Sequence, residues 1–216
     1  MTKTLIRVDI VSDVVCPWCV IGYHQLAQAA RDTGTELDVH WHPFELNPNM
    51  ASKGENLREH LAAKYGTTME GSIKARARLT KMGSDLGFTF NYSDDMGMYN
   101  TFAAHQVIDW AEEHGKGHEM KMALFGAFFT DRKDVSDIQV LVDIATIIGL
   151  DGAQALAVLN QGERASTVRE KQRFWSEKGV QGVPAMVFED KYLVTGAQGE
   201  ANYESILTQL SKDKVV

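Results

Sequence analysis

The 216-residue chain carries two cysteines, and both lie in one short stretch, VVCPWCVIGYH, at residues 14–24. Two thiols three positions apart admit reversible dithiol–disulfide exchange, metal ligation, or no chemistry at all. Their surroundings favour exchange. Residues 4–12, TLIRVDIVS, are β-branched and apolar and predict a buried strand. After the second cysteine, VIGYHQLAQAARD has helical apolar spacing and predicts a helix that stops at Thr33-Gly34. The pair therefore falls where a strand feeds a helix, and the first helical N–H groups have no intrahelical partner and carry partial positive charge. A thiolate is stabilised there, and Cys-x-x-Cys thiols reach pKa values of roughly 3.5–7.5. Cys16, at the helix tip, is expected to be the exposed nucleophile; Cys19, one turn deeper, is the expected resolving thiol. Pro17 suits the first helical position, where its missing N–H is not needed. Trp18 supplies apolar surface but no second cation, so only a moderate lowering of the Cys16 pKa is expected. The reaction class that follows is attack of a thiolate on a disulfide, a mixed disulfide, and its resolution by the second thiol.

A purely structural bridge makes little physical sense here. Closing so short a loop gives only about 2 kcal/mol in the chain-entropy model, against about 4.7 for a loop of a hundred residues. A zinc site drawing on Cys16, Cys19, His40 and His42 is the alternative, since the two histidines share one side of a predicted strand, but the spacing matches no zinc-finger frame. Two plain buried cysteines are the remaining possibility. No metal and no cofactor are expected.

Several elements must position this pair. ELDVHWHPF, residues 36–44, alternates and predicts a second strand, so strand, helix and strand form a right-handed βαβ unit. From about Asn56 to Glu177 helical spacing takes over: LREHLAAKYG, ARARLTKMGSDLG, TFAAHQVIDWAEEHG, HEMKMALFGAFFTD, DIQVLVDIATIIG, AQALAVLNQG and ASTVREKQRFWSEKG. DIQVLVDIATIIG is apolar over most of its surface and is expected to be buried among other helices. After Gly182, VPAMVFE and KYLVTG predict a hairpin turning at Asp190, and ANYESILTQLSK closes the chain as an amphipathic helix. The β-rich ends must pair across the helical middle to cover their edges. The fold class is α/β, with residues 1–54 and 166–216 forming one domain and 55–165 a helical insertion.

Val183-Pro184, entering a strand just after Gly182, is where a cis peptide would be placed, although a trans proline opening an edge strand reads equally well. A cis bond would turn the Val183 backbone toward the cysteines to hold an extended substrate. Pro17, Trp18, Val183 and Pro184 are thus the expected substrate contacts. Asp13, three residues before Cys16, either bonds amides of the turn or disfavours the thiolate by like charge. His42 and His105 read as a strand and a packing histidine, and Phe125, Phe128 and Phe129 as core. Met96, Met98 and Tyr99 are candidates for an apolar lip.

Hydrophobic residues make up 44% of the chain and charged residues 24%, an ordinary soluble composition. A formal net charge of −7 leaves no basic stripe for nucleic acid, and no apolar run is long enough to span a membrane. The opening MTKTLIRVDIVSD lacks a signal-peptide pattern, so the expected compartment is the cytoplasm, where paired thiols are more often catalytic than structural.

With DVVCPWCVIG, HPFELNP, GVQGVPAMVF and YLVTGAQ in this order, the chain resembles the DsbA family of thioredoxin-fold oxidoreductases, and within it the cytoplasmic FrnE-type branch. Asn100, Thr101, Ala104 and His105, and the run LFGAFFTD, fit that branch as well. The resemblance implies a thioredoxin-like fold with a large all-helical insertion domain, Cys16 as nucleophile, Cys19 as resolving cysteine and Val183-Pro184 as a cis-proline loop. It implies disulfide-containing protein or peptide substrates, with glutathione or a thioredoxin-type reductant as electron partner. Some members of that branch carry a further C-terminal cysteine pair, which this chain lacks. No histidine lies between the cysteines, which points away from a strong oxidant and toward reductase or isomerase work. The same superfamily includes kappa-type glutathione transferases and 2-hydroxychromene-2-carboxylate isomerases, which use a serine where Cys16 stands. Glutathione-dependent chemistry on a small aromatic molecule is therefore the rival function.

Overall fold

The computed structural model describes residues 4–214. β1 (Leu5–Ser12), α1 (Pro17–Thr33) and β2 (Glu36–Pro43) form the expected βαβ unit, with β1 and β2 parallel and Ile10 opposite Trp41. Gly34 stops α1 in the left-handed conformation, its N–H returning to the Ala30 and Arg31 carbonyls. A two-residue ladder joins β3 (Glu55–Asn56) to β4 (Gly97–Met98), with α2 (Leu57–Tyr65) and α3 (Met69–Asp85) between them. Then come α4 (Phe102–Glu113), α5 (Gly117–Phe125), α6 (Ile138–Ile147), α7 (Gly152–Gln161) and α8 (Ala165–Glu177). β5 (Ala185–Phe188), β6 (Tyr192–Thr195) and α9 (Glu200–Asp213) complete the chain. β5 runs antiparallel to β1, giving one sheet of order β2-β1-β5-β6. The β5–β6 hairpin turns on Glu189 and Asp190, both at positive φ (51° and 56°), as a tight hairpin turn requires.

The alternation of β1 sets the layers. Ile6, Val8, Ile10 and Ser12 face α1 and α9 and join the main core; Arg7, Asp9 and Val11 face α8, where Val11 packs with Trp175, Val180 and Ala185. The main core continues from the sheet into the inserted helices without a break: the Trp41 ring meets that of Phe125 edge-on, centroids 5.9 Å apart. This is the mixed α/β thioredoxin-like fold with extra helices inserted.

Local chemistry fixes the helix starts. Asn56, Asp137 and Asp151 each accept two backbone N–H bonds at the heads of α2, α6 and α7. Two expectations need correction. The helix predicted over HEMKMALFGAFFTD loosens into a π-helical turn at Gly126–Thr130, which swings Phe128 and Phe129 toward the cysteines. α6 is not buried all round: Leu141, Val142, Ile144 and Ala145 are buried, but Ile147 is 77% exposed because no helix among the described residues covers its outer face.

Candidate active site

Cys16 is the N-cap of α1, in extended conformation (φ −93°, ψ 108°), and Pro17 opens the helix. The Cys16 carbonyl accepts from the Cys19 and Val20 amides, and its own N–H donates to the Asp13 carbonyl, so the turn between β1 and α1 is pinned at both ends. Cys19 sits one turn in and is fully buried; both cysteines are free thiols. The Val183–Pro184 peptide is cis, and the Val183 carbonyl accepts a bond from Cys16 Sγ at 3.7 Å. Gly22 of α1 lets this loop approach: a Cβ there would lie 3.3 Å from both Pro184 Cγ and Met186 Cε.

The expected exposure of Cys16 is wrong: its exposure is only 3%, since α2, α3 and the π-helical turn roof the junction. Its electrostatics differ accordingly. Burial pushes the Cys16 thiol well above the ordinary thiol range; the bond to Cys19 and the nearby Asp13 charge add to this, and the Cys19 amide only partly opposes it. Cys19 moves the other way. Burial disfavours its anion too, but the Cys16 thiol, the Ser12 hydroxyl and the Lys121 ammonium together hold it below the ordinary range. Within the pair the surroundings therefore favour the anion at Cys19 over Cys16, whose thiol donates to the Val183 carbonyl. The unpaired amides of the helix tip do not overcome desolvation at Cys16, which the spacing alone could not show.

Beneath the pair lies a small buried network. Asp13 is fully buried; its Oδ2 accepts from the Leu46 N–H at 2.7 Å, and its Oδ1 lies 3.3 Å from His105 Nε2. That nitrogen also lies 2.9 Å from the Phe44 carbonyl, so with two acceptors it carries the proton and donates. Burial works against the Asp13 carboxylate, but His105 and the Leu46 amide outweigh it and hold its pKa below the usual range. Lys121 of α5 is 1% exposed, its ammonium set against the Trp41 (5.3 Å) and Phe125 (5.0 Å) rings. Burial lowers its pKa to about 8, against the raising influence of Cys19, Asp13 and Cys16. The Ser12 hydroxyl is buried with no hydrogen-bond partner among the described residues and lies near Cys19. Sequence reading missed Ser12 and Lys121. The alternation of β1 could have flagged Ser12, but Lys121 lies 102 positions from Cys19 and leaves no local signal.

Pro17, Trp18 and Val183 line one cavity with Cys16, of about 430 Å³; Trp18 is 37% exposed, with the Arg78 guanidinium 5.5 Å from its ring. Phe125, Phe128 and Phe129 are core, and the last two also form the cavity's back wall. Of the suggested lip, Met96 and Met98 are buried, and Met98 lines the cavity. His40 and His42 do share one strand face, but it is the α8 face, with the sheet between them and the cysteines. His40 bonds Asp38 and Glu112, and His42 bonds Asp9 at 2.7 Å. No three His, Cys, Asp or Glu side chains among the described residues gather in a metal-ligating arrangement. No helix among the described residues is long and apolar enough to cross a membrane.

The chain is similar over most of its length to several known proteins. It is 31% identical to the probable DsbA oxidoreductase SCO1869 from Streptomyces coelicolor, whose crystal structure superposes with a TM-score of 0.87 over 94% of this chain and 89% of that one. A putative protein disulfide isomerase from Nitrosomonas europaea shares the fold, with a TM-score of 0.72 over 98% of this chain and 99% of that one at 18% identity. The uncharacterized protein YwbO of Bacillus subtilis is 26% identical over 210 residues, 97% of this chain and 99% of that protein. The family model for the DSBA-like thioredoxin domain matches residues 7–208, and with its cysteine pair at the β1–α1 junction this chain belongs to that family.

Proposed function

We propose that the protein is a thiol–disulfide oxidoreductase of the cytoplasmic FrnE-type branch, working through Cys16 and Cys19 as a reductase or isomerase. The observation that carries this is the pair itself: two free thiols one turn apart at the head of α1, with Cys16 against the Val183 carbonyl of the cis Val183–Pro184 loop. The reacting state of the reduced pair holds one proton, on Cys16, because the surroundings favour the anion at Cys19. Cys16 sulfur attacks one sulfur of a disulfide RSSR, its proton passes to Cys19, and RS⁻ leaves. The leaving thiolate takes that proton as RSH. Cys19, charged again, attacks Cys16 Sγ and expels the second RS⁻. The protein has then lost two electrons as an intrachain disulfide, and the substrate has gained them as one thiol, RSH, and one thiolate, RS⁻, which takes its proton from solvent. Glutathione or a thioredoxin-type protein returns the electrons. Trp18 and Pro17 flank the attacking sulfur, and the Val183 backbone holds the substrate beside it.

The test is a redox titration of the purified protein in glutathione buffers, quenched by alkylation and read by mass. One intrachain Cys16–Cys19 disulfide forming as a two-electron couple is expected; failure of the pair to cycle rejects the proposal. Cys16→Ser separates it from a serine-type glutathione transferase or isomerase: the exchange enzyme loses turnover, whereas the other would keep it.

A further inference from the structure

Resting on that exchange chemistry, we propose that the mouth of the Cys16 cavity selects polypeptide disulfides with aspartate or glutamate beside the reacting cysteine, and that Arg78 and Lys64 are the residues that select them. The two occupy matching places. The Arg78 guanidinium lies 5.5 Å from the Trp18 ring, and the Lys64 ammonium lies 5.3 Å from the Tyr65 ring. Trp18 and Tyr65 both line the cavity that holds Cys16. Arg78 comes from α3 and Lys64 from the last turn of α2, and both are exposed.

Neither cation has a carboxylate partner. The Arg78 guanidinium makes no hydrogen bond or ion pair among the described residues, and Lys64 donates to the neutral Leu46 carbonyl and Asn47 amide oxygen, each at 2.7 Å. Their neighbours differ: Lys74 pairs with Glu70 (2.6 Å), Arg76 with Asp94 (3.3 Å) and Lys81 with Asp85 (2.8 Å). No Asp or Glu among the described residues lines the cavity. Within α3, residues 71–84 carry four cations and no anion, in a chain of net charge −7. The protein is acidic as a whole and cationic where the cavity over its nucleophile opens. That distribution draws negatively charged partners and repels positive ones.

The rings make these charges usable. An aromatic face covers one side of each cation and removes part of its water, so a carboxylate meets it at lower desolvation cost. A polypeptide held extended by the Val183 backbone advances about 3.3 Å per residue, which brings side chains about one to three positions from its cysteine within reach of Arg78 across the Trp18 ring. The hydroxyls of Tyr65, Thr67, Ser72 and Tyr92 belong to the cavity's lining and make no hydrogen bond among the described residues, so they offer hydrogen bonds to the client's backbone. Glutathione carries carboxylates of its own, so the same charges do not oppose its return of electrons.

The experiment compares three end-blocked pentapeptides, Gly-X-Cys-X-Gly with X as Asp, Ser or Lys, each supplied as its symmetric disulfide. Reduced protein is mixed with excess peptide disulfide at low ionic strength, and formation of the Cys16–Cys19 disulfide is followed by mass. Each rate is divided by the rate at which the same disulfide reacts with free dithiothreitol, which removes its intrinsic reactivity. The normalised rate with the Asp peptide is expected to exceed that with the Lys peptide at least tenfold, with Ser between them. High salt should shrink the ratio below about threefold, because exposed charges are screened. Arg78→Glu should lower the Asp-to-Lys ratio at least fivefold, and adding Lys64→Glu should invert it. The ratio is taken within one protein, so a general loss of activity does not imitate the effect. If a variant fails to fold, the wild-type ranking and its salt dependence decide the matter. Equal rates, a faster Lys peptide, a ratio that survives high salt, or a ratio unchanged in folded Arg78→Glu overturns this proposal and leaves the exchange chemistry standing. No oxidation by any of the three overturns both.

Discussion

Replacing Lys121 by methionine should make this protein more stable at neutral pH. The side chain is almost wholly enclosed, 1% exposed, against the faces of Trp41 and Phe125. Burial lowers its pKa from the ordinary 10.5 to about 8, even though Cys19, Asp13 and Cys16 pull the other way. At ~1.4 kcal/mol for each tenfold change in proton affinity, the charged folded form carries a cost of about 3 kcal/mol. The sign follows from proton binding: between pH 8 and 10.5 the unfolded chain holds more protons at this position than the folded one, so stability rises with pH across that window. Below it the cost is present in full. Methionine is unbranched, one atom shorter and uncharged, while Asp13 retains the Leu46 amide and His105. Some of the gain is lost because Cys19 loses a cation. We expect Lys121→Met to be about 1–3 kcal/mol more stable at pH 7, roughly 2–4 °C in Tm per kcal/mol for a chain of this size. Denaturant unfolding of both reduced proteins from pH 6 to 11 reads it, and the gap should close toward pH 10.5. Thiolate absorbance should also show Cys19 titrating higher in the variant. Parallel stability curves, or a variant weaker at pH 7, would refute the assignment of a buried, strained ammonium at this place.

Other perturbations test the rest of the site and its scaffold. In Cys19→Ser, burial still pushes the remaining thiol up; Cys16 should react with iodoacetamide more slowly than dithiothreitol at pH 7, its rate still climbing above pH 9, and a rate plateau below pH 7 would contradict this. Asp9 is buried, yet Arg7 and His42 hold its carboxyl below the usual range against the opposing pull of burial. The stability it contributes is present above about pH 4 and lost as pH falls, so Asp9→Asn should cost about 1–3 kcal/mol at pH 7 and flatten acid unfolding between about pH 4 and 2. Gly83→Ala would drive a Cβ to 2.5 Å from Phe90 and should cost about 1–3 kcal/mol by denaturant melts. Asp151→Ala removes the acceptor for the Ala153 and Gln154 amides and should cost about 1 kcal/mol.

The sequence by itself determined the elements and the place of the redox pair, because those depend on short-range rules. β-branched residues in TLIRVDIVS, helical spacing after Cys19, Gly34 and the aspartate caps each act within a few positions of themselves. The βαβ unit, the terminal hairpin and the helical middle followed from that local grammar, and Cys16 fell at a helix N-cap for the same reason. Tertiary structure alone decided which sulfur its surroundings favour as the anion and how deeply the pair is buried. Desolvation depends on what lies above a group, and the roof over Cys16 comes from α2, α3 and a π-helical turn far along the chain. The groups that favour the Cys19 anion, Ser12 on β1 and Lys121 on α5, meet only when the inserted helices share the sheet's core. Charge and access are sums over neighbours in space, and a linear pattern records only neighbours in sequence.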